Sequence, residues 1–297
     1  MESVKNPHQA QDHFVLPENN QPLKEPTIKL TPEQVDFFRT NGFLSIDHLI
    51  DENEVTYIRD QYDKWFAAKL GREHGNFFDL LSEDTDDREA VAPQLLWPSI
   101  YGKTMTGFDL YSTQMYANAY EVCKSLLGEA TEFKGDHAIL KPPSVNSLPT
   151  PWHQDEAYWD PTLSYESVGV WVALQPTSVE NGCMQFIPGS HRASDVLPHH
   201  TQNNNPRIHG LEVDTPSEYT KEIVSCPLPS GGATFHHCRT LHYTDANTST
   251  EPRRAYTLQF QCNTTKRDQP RLNTWNETKT TERERRAKES GWNLRAP

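Results

Sequence analysis

The chain has 297 residues, enough to bury a substantial hydrophobic core in one large domain or two smaller ones. Its formal net charge of −13 disfavours nucleic acids and anionic membranes as partners, because both are bound through a basic face. An apolar fraction of 35%, with 7 Trp, 11 Tyr and 12 Phe, excludes a largely disordered chain.

No part of the sequence indicates a secreted or membrane-spanning protein. It contains no run of 18 apolar residues, no apolar region of a secretory signal near the N-terminus, and no peroxisomal signal in the C-terminal residues NLRAP. The cysteines are scattered and form no CxxC pair, which indicates reduced thiols rather than disulfides or a thiolate zinc site. They are Cys123, Cys183, Cys226, Cys238 and Cys262. We therefore expect a cytoplasmic protein.

The first 27 residues are rich in Pro, Asn, Gln and charge, and they show no hydrophobic period. This composition predicts a flexible N-terminal arm over residues 1–27. A helix follows, with Thr31 as N-cap, Pro32 at the first helical position and Gln34 completing a capping box. Gly42 is expected to end this helix.

The segment FLSIDHLI predicts a short strand, after which Asp51 caps a second amphipathic helix that Gly71 ends. Residues 75–92 are acidic and predict a loop, and a further helix is expected over about 112–127. The charged residues of the last 25 positions are typical of a surface helix or a tail.

From about residue 132 to about 265 the pattern changes to short strands. The runs HAILK, SVGVWVALQ, CMQFIP, GATFHH and RAYTLQFQC alternate with period two and are separated by turn residues. Such strands, with little helix between them, favour an all-β barrel or sandwich. We expect this β-core to belong to a single domain over residues 28–297.

The segment Trp152-His153-Gln154-Asp155 is the central chemical feature. Side chains two residues apart on a strand project to one face, so His153 and Asp155 can present an imidazole and a carboxylate to one metal ion. These are two of the three ligands of a facial triad that binds iron(II). About two His-x-acid matches are expected by chance in such a chain, so a hydrogen-bonded strand histidine and a turn aspartate are the alternative.

A third ligand must lie elsewhere in the chain. The segment GGATFHHCRTLHYTDANTSTEPRRA narrows the choice, because His242 lies just before a polar loop that leads into another strand. The downstream candidates are His191, His199, His200, His209, His236, His237 and His242.

Two strands have one face suited to a lumen. Arg253 shares a face with small and polar side chains, and its planar guanidinium can bind a carboxylate through two parallel hydrogen bonds. Trp171 stands among small neighbours on its own strand, as a wall beside a cavity would. The alternatives are a surface residue at a strand start for Arg253 and ordinary core packing for Trp171.

Four ordered blocks resemble the phytanoyl-CoA dioxygenase family of iron(II)/2-oxoglutarate oxygenases. They are TNGFLSID, PWHQDEAYW, ENGCMQFIPGSHR and GGATFHHCRTLHYTDANTSTEPRRA, and the resemblance extends from about residue 31 to about 261. It implies a mainly β fold, with a double-stranded β-helix core of the jelly-roll or cupin type and buttressing N-terminal helices. It also implies Fe(II) as cofactor, with 2-oxoglutarate and O₂ as co-substrates.

The resemblance assigns roles to matching positions. His153, Asp155 and His242 are its implied iron ligands. The implied 2-oxoglutarate pocket contains Arg253, which would bind the distal carboxylate, together with Thr244, Trp171 and Lys141. Substrate is expected to approach near Tyr158 and Trp159, and Arg192 is a candidate to contact an anionic substrate.

The implied function is a dioxygenase that oxidises an unactivated C–H bond of a small organic metabolite, with release of succinate and CO₂. Hydroxylation is the expected outcome. The same iron site could instead catalyse desaturation or oxidative cyclisation of a natural-product or amino-acid-derived intermediate. Two non-oxygenase alternatives are a metal-binding cupin-like protein and a zinc hydrolase. In a hydrolase, the Arg253 clamp and the Trp171 wall would have no evident use.

Overall fold

The computed structural model describes residues 20–143, 147–193, 195–215 and 222–292. The helices in these segments lie mostly before the β-core, with two short ones near the C-terminus. They are α1 (Pro32–Asn41), α2 (Glu52–Ala67), α3 (Pro98–Thr106), α4 (Gln114–Leu127), α5 (Thr274–Glu277) and α6 (Glu282–Ser290).

The strands form two larger antiparallel sheets and one small one. They are β1 (Phe43–Ile46), β2 (Phe77–Asp79), β3 (Pro93–Leu96), β4 (Glu132–Lys141), β5 (Thr150–His153), β6 (Leu163–Ala173), β7 (Met184–Phe186), β8 (His199–Thr201), β9 (Leu211–Val213), β10 (Val224–Cys226), β11 (Ala233–His237), β12 (His242–Thr244) and β13 (Arg253–Lys266). The seven-stranded sheet has the order β1-β11-β6-β13-β4-β3-β2, the four-stranded sheet β10-β7-β12-β5, and β8 pairs with β9.

The helices cover the outer face of the seven-stranded sheet. Trp65 of α2 and Tyr116 of α4 are fully buried, and they pack in one cluster with Val170 of β6 and with Tyr256 and Phe260 of β13. Burying a large apolar side chain contributes roughly 1.5–3 kcal/mol, so this layer stabilises the sheet from behind. The predicted arrangement, a mainly β double-stranded core buttressed by N-terminal helices, is confirmed.

The space between the two larger sheets forms a second, inner core. Trp171 of β6 and Ala255 of β13 pack there with Met184 and Phe186 of the opposite sheet. On β6, Val170 and its neighbours at alternate positions face the helices instead. The period-two alternation in the sequence therefore distinguished the lumen face from the helix-facing side correctly.

Helix starts follow the sequence signals more closely than helix ends. Thr31 and Gln34 form the expected capping box, and Gly42 ends α1 with a left-handed conformation at φ 82°. Helix α2 starts after Asp51 but ends at Ala67, earlier than predicted. Gly71 instead precedes a separate 3₁₀ turn over Arg72–His74, which extends the connection between α2 and β2.

Strands β1, β2 and β3 extend the large sheet with residues that precede the predicted β-core of about 132–265. Residues 1–19 of the predicted arm lie outside the described residues. Residues 20–27 hydrogen-bond to α4, for example through the backbone N–H of Thr27 to Oδ1 of Asn118 at 2.7 Å. The domain boundaries stay predictions.

The C-terminal residues form a capped helix rather than a tail, as far as residue 292. Thr281 and Glu284 form a capping box at the start of α6. Arg286 of this helix pairs with the buried Asp84, which anchors α6 to the loop that precedes β3. All five cysteines are buried and unpaired, as expected for reduced thiols. Within the described segments, no helix has the length and apolar composition needed to cross a bilayer.

Candidate metal centre and co-substrate pocket

His153, Asp155 and His242 converge at the lumen, with one ligand atom of each within 4.8 Å of the others. Strand β12 pairs with β5, and this register sets His242 directly opposite His153. Gln154 keeps an extended conformation, at φ −119° and ψ 132°, so the strand alternation continues to Asp155 although β5 has ended. Oδ1 of Asp155 lies 3.8 Å from Nε2 of His153 and 3.5 Å from Nε2 of His242.

Backbone carbonyls orient both imidazoles. Nδ1 of His153 lies 2.7 Å from the carbonyl oxygen of Pro151, and Nδ1 of His242 lies 2.9 Å from that of Thr240. A carbonyl oxygen can only accept, so each Nδ1 carries the proton and donates it. Each Nε2 therefore keeps its lone pair and faces the other ligand atoms, which is the tautomer that binds a metal.

The electrostatics of the cluster suit a cation. Burial lowers the pKa of both His153 and His242, which keeps the imidazoles neutral. Burial alone would raise the pKa of Asp155, but His242, His236 and His153 outweigh it, and the pKa of this carboxyl falls below its usual range. Neutral imidazoles with an ionised carboxylate are the protonation states that metal binding requires.

His236 is a further imidazole at this cluster, and it is not among the three residues whose ligand atoms converge. It lies on β11, and its Nε2 is 3.1 Å from Oδ2 of Asp155. The other carboxylate oxygen, Oδ1, is the one that faces His153 and His242. Gly169 of β6 faces it across the sheet, where an added Cβ would come within 2.7 Å of His236 Nε2. Because Gly169 has no side chain, it leaves the space that the His236 imidazole occupies.

His137 was not singled out by the sequence analysis. It lies on β4 beside Thr257 of β13, and burial lowers its pKa to about 4 while the charge of Asp155 opposes that shift. Its electrostatic interaction with Asp155 and His236 indicates that this imidazole lies near the metal cluster. Its spacing from Lys141, four residues along one strand, is the signal that would have indicated the lumen face.

The remaining candidate histidines lie elsewhere. His191 contacts His237, whose Nε2 lies 3.4 Å from Oε2 of Glu166 on the outer side. His199 and His200 belong to β8. His209 stacks on Tyr158 and is considered with the substrate-side residues below.

Arg253 and Thr244 present unpaired polar atoms inside the lumen. Arg253 is 1% exposed, and its Nε and Nη1 are buried without a hydrogen-bond partner. Oγ1 of Thr244 is buried and unpaired in the same way. The guanidinium carbon lies 5.2 Å from the ring centroid of Trp171. Burial lowers the pKa of Arg253 to about 10, so the group stays charged at neutral pH.

Such an arrangement is costly unless an acceptor binds. A buried polar group without a hydrogen bond costs about 1–3 kcal/mol, and a charged group costs more. A carboxylate has two acceptor oxygens that match the planar guanidinium and one hydroxyl. The donors present therefore fit one carboxylate of a dicarboxylic ketoacid, and the His-Asp-His set fits iron(II).

Lys141 is fully buried near Arg253, but its ammonium group is already engaged. Nζ donates to the carbonyl oxygen of Leu148 at 2.6 Å and lies 3.4 Å from that of Thr244. Burial lowers its pKa, and the charge of Arg253 adds to that effect. In the structure, these contacts connect the loop after β4 with the end of β12.

A family model for phytanoyl-CoA dioxygenase (PhyH) matches residues 38–255 of the chain. The chain belongs to the phytanoyl-CoA dioxygenase family. Its relatives include a phytanoyl-CoA dioxygenase of Arabidopsis thaliana, 28% identical over 78% of this chain and 89% of that protein. A phytanoyl-CoA dioxygenase domain-containing protein 1 of Danio rerio is 34% identical over 77% of this chain and 89% of its own length.

Solved structures agree with this assignment. EvdO2 from Micromonospora carbonacea var. aurantiaca, complexed with 2-oxoglutarate, is 33% identical, with a TM-score of 0.68 over 85% of this chain and 99% of that chain. The carbocyclase SnoK from nogalamycin biosynthesis shares the fold, with a TM-score of 0.62 at 24% identity over 82% and 90% of the two chains. This member of the phytanoyl-CoA dioxygenase family is a 2-oxoglutarate-dependent dioxygenase that uses Fe(II) and O₂.

The three predicted substrate-side residues of the dioxygenase lie in different environments. Tyr158 is close to the cluster, with its ring centroid 6.2 Å from that of His153. The ring of Trp159 packs edge-on against Tyr165, with centroids 4.9 Å apart. Arg192 is exposed on the 3₁₀ turn Ser190–Arg192, and within the described chain no contact joins it to the metal cluster. Of the three, Tyr158 has the geometry expected of a substrate-side residue.

Proposed function

We propose that this dioxygenase hydroxylates an unactivated C–H bond of a small organic molecule. In this proposal His153, Asp155 and His242 hold the iron, and Arg253 with Thr244 holds 2-oxoglutarate. The observation that carries it is the unpaired Arg253 guanidinium, buried in the same lumen as the His-Asp-His cluster.

The three ligand residues would occupy one face of the metal and leave the other positions open. Fe(II), when bound, would activate O₂, the oxidant: 2-oxoglutarate would be converted to CO₂ and succinate, which takes one oxygen atom, and the other oxygen atom would enter the substrate. The chain's own contribution is to hold both imidazoles in the Nε2-coordinating tautomer and to keep Asp155 ionised. Phe186 and Trp171 line an apolar lumen that limits access of water to the reacting groups.

Arg253 and Thr244 would orient the co-substrate from deeper in the lumen. The guanidinium would donate two parallel hydrogen bonds to one carboxylate, and the Thr244 hydroxyl would donate a third. This fixes the ketoacid end toward the ligand cluster. A zinc hydrolase needs no such buried clamp, so the unpaired Arg253 favours the oxygenase over that alternative.

Hydroxylation is proposed over halogenation because Asp155 supplies a third protein ligand. A carboxylate at that position fills the coordination site that a halide would need. Desaturation and oxidative cyclisation use the same ligand set, and the position of the substrate carbon decides between the outcomes.

Two measurements test the proposal. Anaerobic addition of 2-oxoglutarate to the Fe(II)-loaded protein should produce a charge-transfer absorption band, and candidate substrates should stimulate succinate formation. His153→Ala, Asp155→Ala and His242→Ala should each abolish both signals, because each removes one of three ligands. His200→Ala, at a half-buried position on β8, is the matched control and should behave as wild type. A ligand variant that keeps normal succinate formation would remove that residue from the ligand set.

A further inference from the structure

The C-terminal segment brings two cationic side chains to the substrate side of the metal cluster. The ammonium nitrogen of Lys279 lies 4.7 Å from the ring centroid of Tyr158. The guanidinium carbon of Arg283, in α6, lies 5.0 Å from the ring centroid of Phe78. His209 joins the two contacts, because its ring stacks on Tyr158 at 5.5 Å and packs edge-on against Phe78 at 4.9 Å.

Among the described residues neither cation forms an ion pair, although the carboxylate of Glu284 interacts electrostatically with both. In the part of the chain that the structure describes, no carboxylate oxygen lies within 4.0 Å of Lys279 or Arg283. The other arginines of α6 are paired: Arg285 with Glu282 and Glu289, and Arg286 with Asp84. In a chain with a net charge of −13, two adjacent cations that form no ion pair are unusual, and they suit the binding of an anion.

Polar atoms in this region also lack partners. Nε of Arg283 and Nδ1 of His209 are both shielded from solvent and form no hydrogen bond. Burial lowers the pKa of Lys279 to about 7 and that of Arg283 to about 10, which reports how little water surrounds both groups. A bound anion would raise the pKa of Lys279 again and so stabilise its charged state.

One aromatic ring separates this cluster from the predicted iron ligands. Tyr158 contacts Lys279 with its ring face, and its ring lies edge-on to His153 with centroids 6.2 Å apart. The hydroxyl of Tyr158 accepts a hydrogen bond from the backbone N–H of Leu211 at 2.8 Å, which fixes the ring. A molecule with its charged end at Lys279 could therefore extend a carbon chain along Tyr158 toward the metal.

We propose that Lys279, Arg283 and His209 bind the anionic group, a carboxylate or a phosphate, of an organic substrate whose apolar part packs against Phe78 and Tyr158. This rests on the proposed function, since it takes the metal cluster as the site of oxidation. The family match ends at residue 255, so Lys279 and Arg283 lie beyond the span shared with the family model. The site would thus take its substrate selectivity from a segment outside the span of the family model.

The experiment measures binding of phenyl phosphate, benzoate and the neutral benzyl alcohol to the Fe(II)-loaded protein, anaerobically, with saturating 2-oxoglutarate. Isothermal titration calorimetry should show that at least one anion binds about tenfold more tightly than benzyl alcohol, because charge-assisted hydrogen bonds form only with an anion. The two anions distinguish phosphate from carboxylate as the preferred group.

Lys279→Met/Arg283→Met should lose this preference about tenfold or more, and its unfolding midpoint should not fall, because two unpaired half-buried charges are removed. The control, Lys288→Met/Arg285→Met, changes the same residue types on the exposed side of α6 and should keep the preference. Equal binding of all three probes by wild type would overturn the proposal. So would an equal loss in the control pair, or a fall in the midpoint of the first variant.

The charge-transfer band is recorded in the same samples. A normal band with no anion preference would overturn only this proposal. An absent band would overturn the proposed function, whatever the titrations show.

Discussion

The Nε2–H of His236 donates a hydrogen bond to Oδ2 of Asp155 over 3.1 Å, and Oδ1 of that carboxylate faces the two ligand imidazoles. The two oxygens thus have separate partners. The hydrogen bond from His236 fixes Oδ2, and Oδ1 is thereby oriented toward the proposed metal position. Contacts of this kind hold a ligand in its binding geometry before the metal arrives.

We expect His236→Phe to weaken Fe(II) binding about 10- to 100-fold, because the ring shape is kept and only the hydrogen bond to Asp155 is lost. Equilibrium titration of the protein with Fe(II) under anaerobic conditions measures this. His237→Gln is the control, since His237 is the next residue on β11 and contacts Glu166 instead. Equal iron affinity in His236→Phe and wild type would show that the hydrogen bond does not orient the carboxylate.

Gly169→Ala should weaken iron binding through the same contact. The added Cβ would lie 2.7 Å from Nε2 of His236 and 3.4 Å from Oδ2 of Asp155, so the imidazole must move. In a His236→Ala background the space is free, and Gly169→Ala should then have little further effect on Fe(II) affinity. This non-additivity is expected only for residues in contact. Additive losses in the double variant would reject the steric explanation.

The sequence predicted the His153–Asp155 pair from a local signal, whereas His242 was assigned to the cluster through the family resemblance. His153 and Asp155 are two residues apart in an extended segment, and Arg253 stands on a strand whose small neighbours mark the lumen face. His236 and His237 are adjacent, so alternation required that one face inward. Which of the two faces inward could not be read locally. The space for the His236 imidazole comes from Gly169, which has no side chain and lies on another strand.

The cationic cluster could not be predicted in this way. Lys279 and Arg283 belong to a charged run whose helical pattern is that of a solvated surface helix. Only the tertiary packing of α6 against the loop before β3, through Arg286 and Asp84, brings Lys279 to Tyr158 and Arg283 to Phe78.

The end of α2 was also mispredicted. Glycine commonly ends helices, so Gly71 was the expected end, but α2 already ends at Ala67 and a separate 3₁₀ turn connects it to β2.

Arg253→Met should have opposite effects on the protein without and with co-substrate. Replacing an unpaired buried guanidinium with an apolar chain of similar length should raise the free energy of unfolding by about 1–3 kcal/mol. Wild type should gain about 2.7 kcal/mol from 2-oxoglutarate at one hundred times its dissociation constant, and the variant should gain nothing. Thermal or urea unfolding with and without 2-oxoglutarate measures both effects.

Arg254→Met is the matched control for that prediction. Arg254 is the next residue on β13, and its guanidinium pairs with Asp63 on the helix-covered side, with Nε 2.6 Å from Oδ1. This variant should keep the full stabilisation by 2-oxoglutarate. If Arg253→Met is also stabilised by 2-oxoglutarate as strongly as wild type, another group binds the distal carboxylate.

Acid should destabilise the fold through His199. This residue hydrogen-bonds to the backbone of Gln154, which lies between the proposed ligands His153 and Asp155. Its Nδ1 donates to the carbonyl oxygen of Leu197 at 2.6 Å, and its Nε2 accepts the backbone N–H of Gln154 at 3.2 Å. Burial lowers the pKa of His199 to about 3, below the ordinary 6.5. The unfolded chain therefore takes up a proton first as the pH falls. Stability from neutral His199 is complete above pH 6.5 and is lost progressively between pH 6.5 and 3.

Between pH 6.5 and 5.0 this residue should remove about 1.6 kcal/mol from the free energy of unfolding, since the unfolded imidazole goes from half to almost fully protonated at about 1.36 kcal/mol per proton and pH unit. His199→Gln keeps one donor and one acceptor but cannot titrate, so its stability should depend less on pH by that amount. His200→Gln, at the half-buried neighbouring position, should follow wild type. Urea unfolding of the metal-free protein at the two pH values provides the comparison. Parallel pH profiles for wild type and His199→Gln would mean that protonation of His199 does not limit stability in acid.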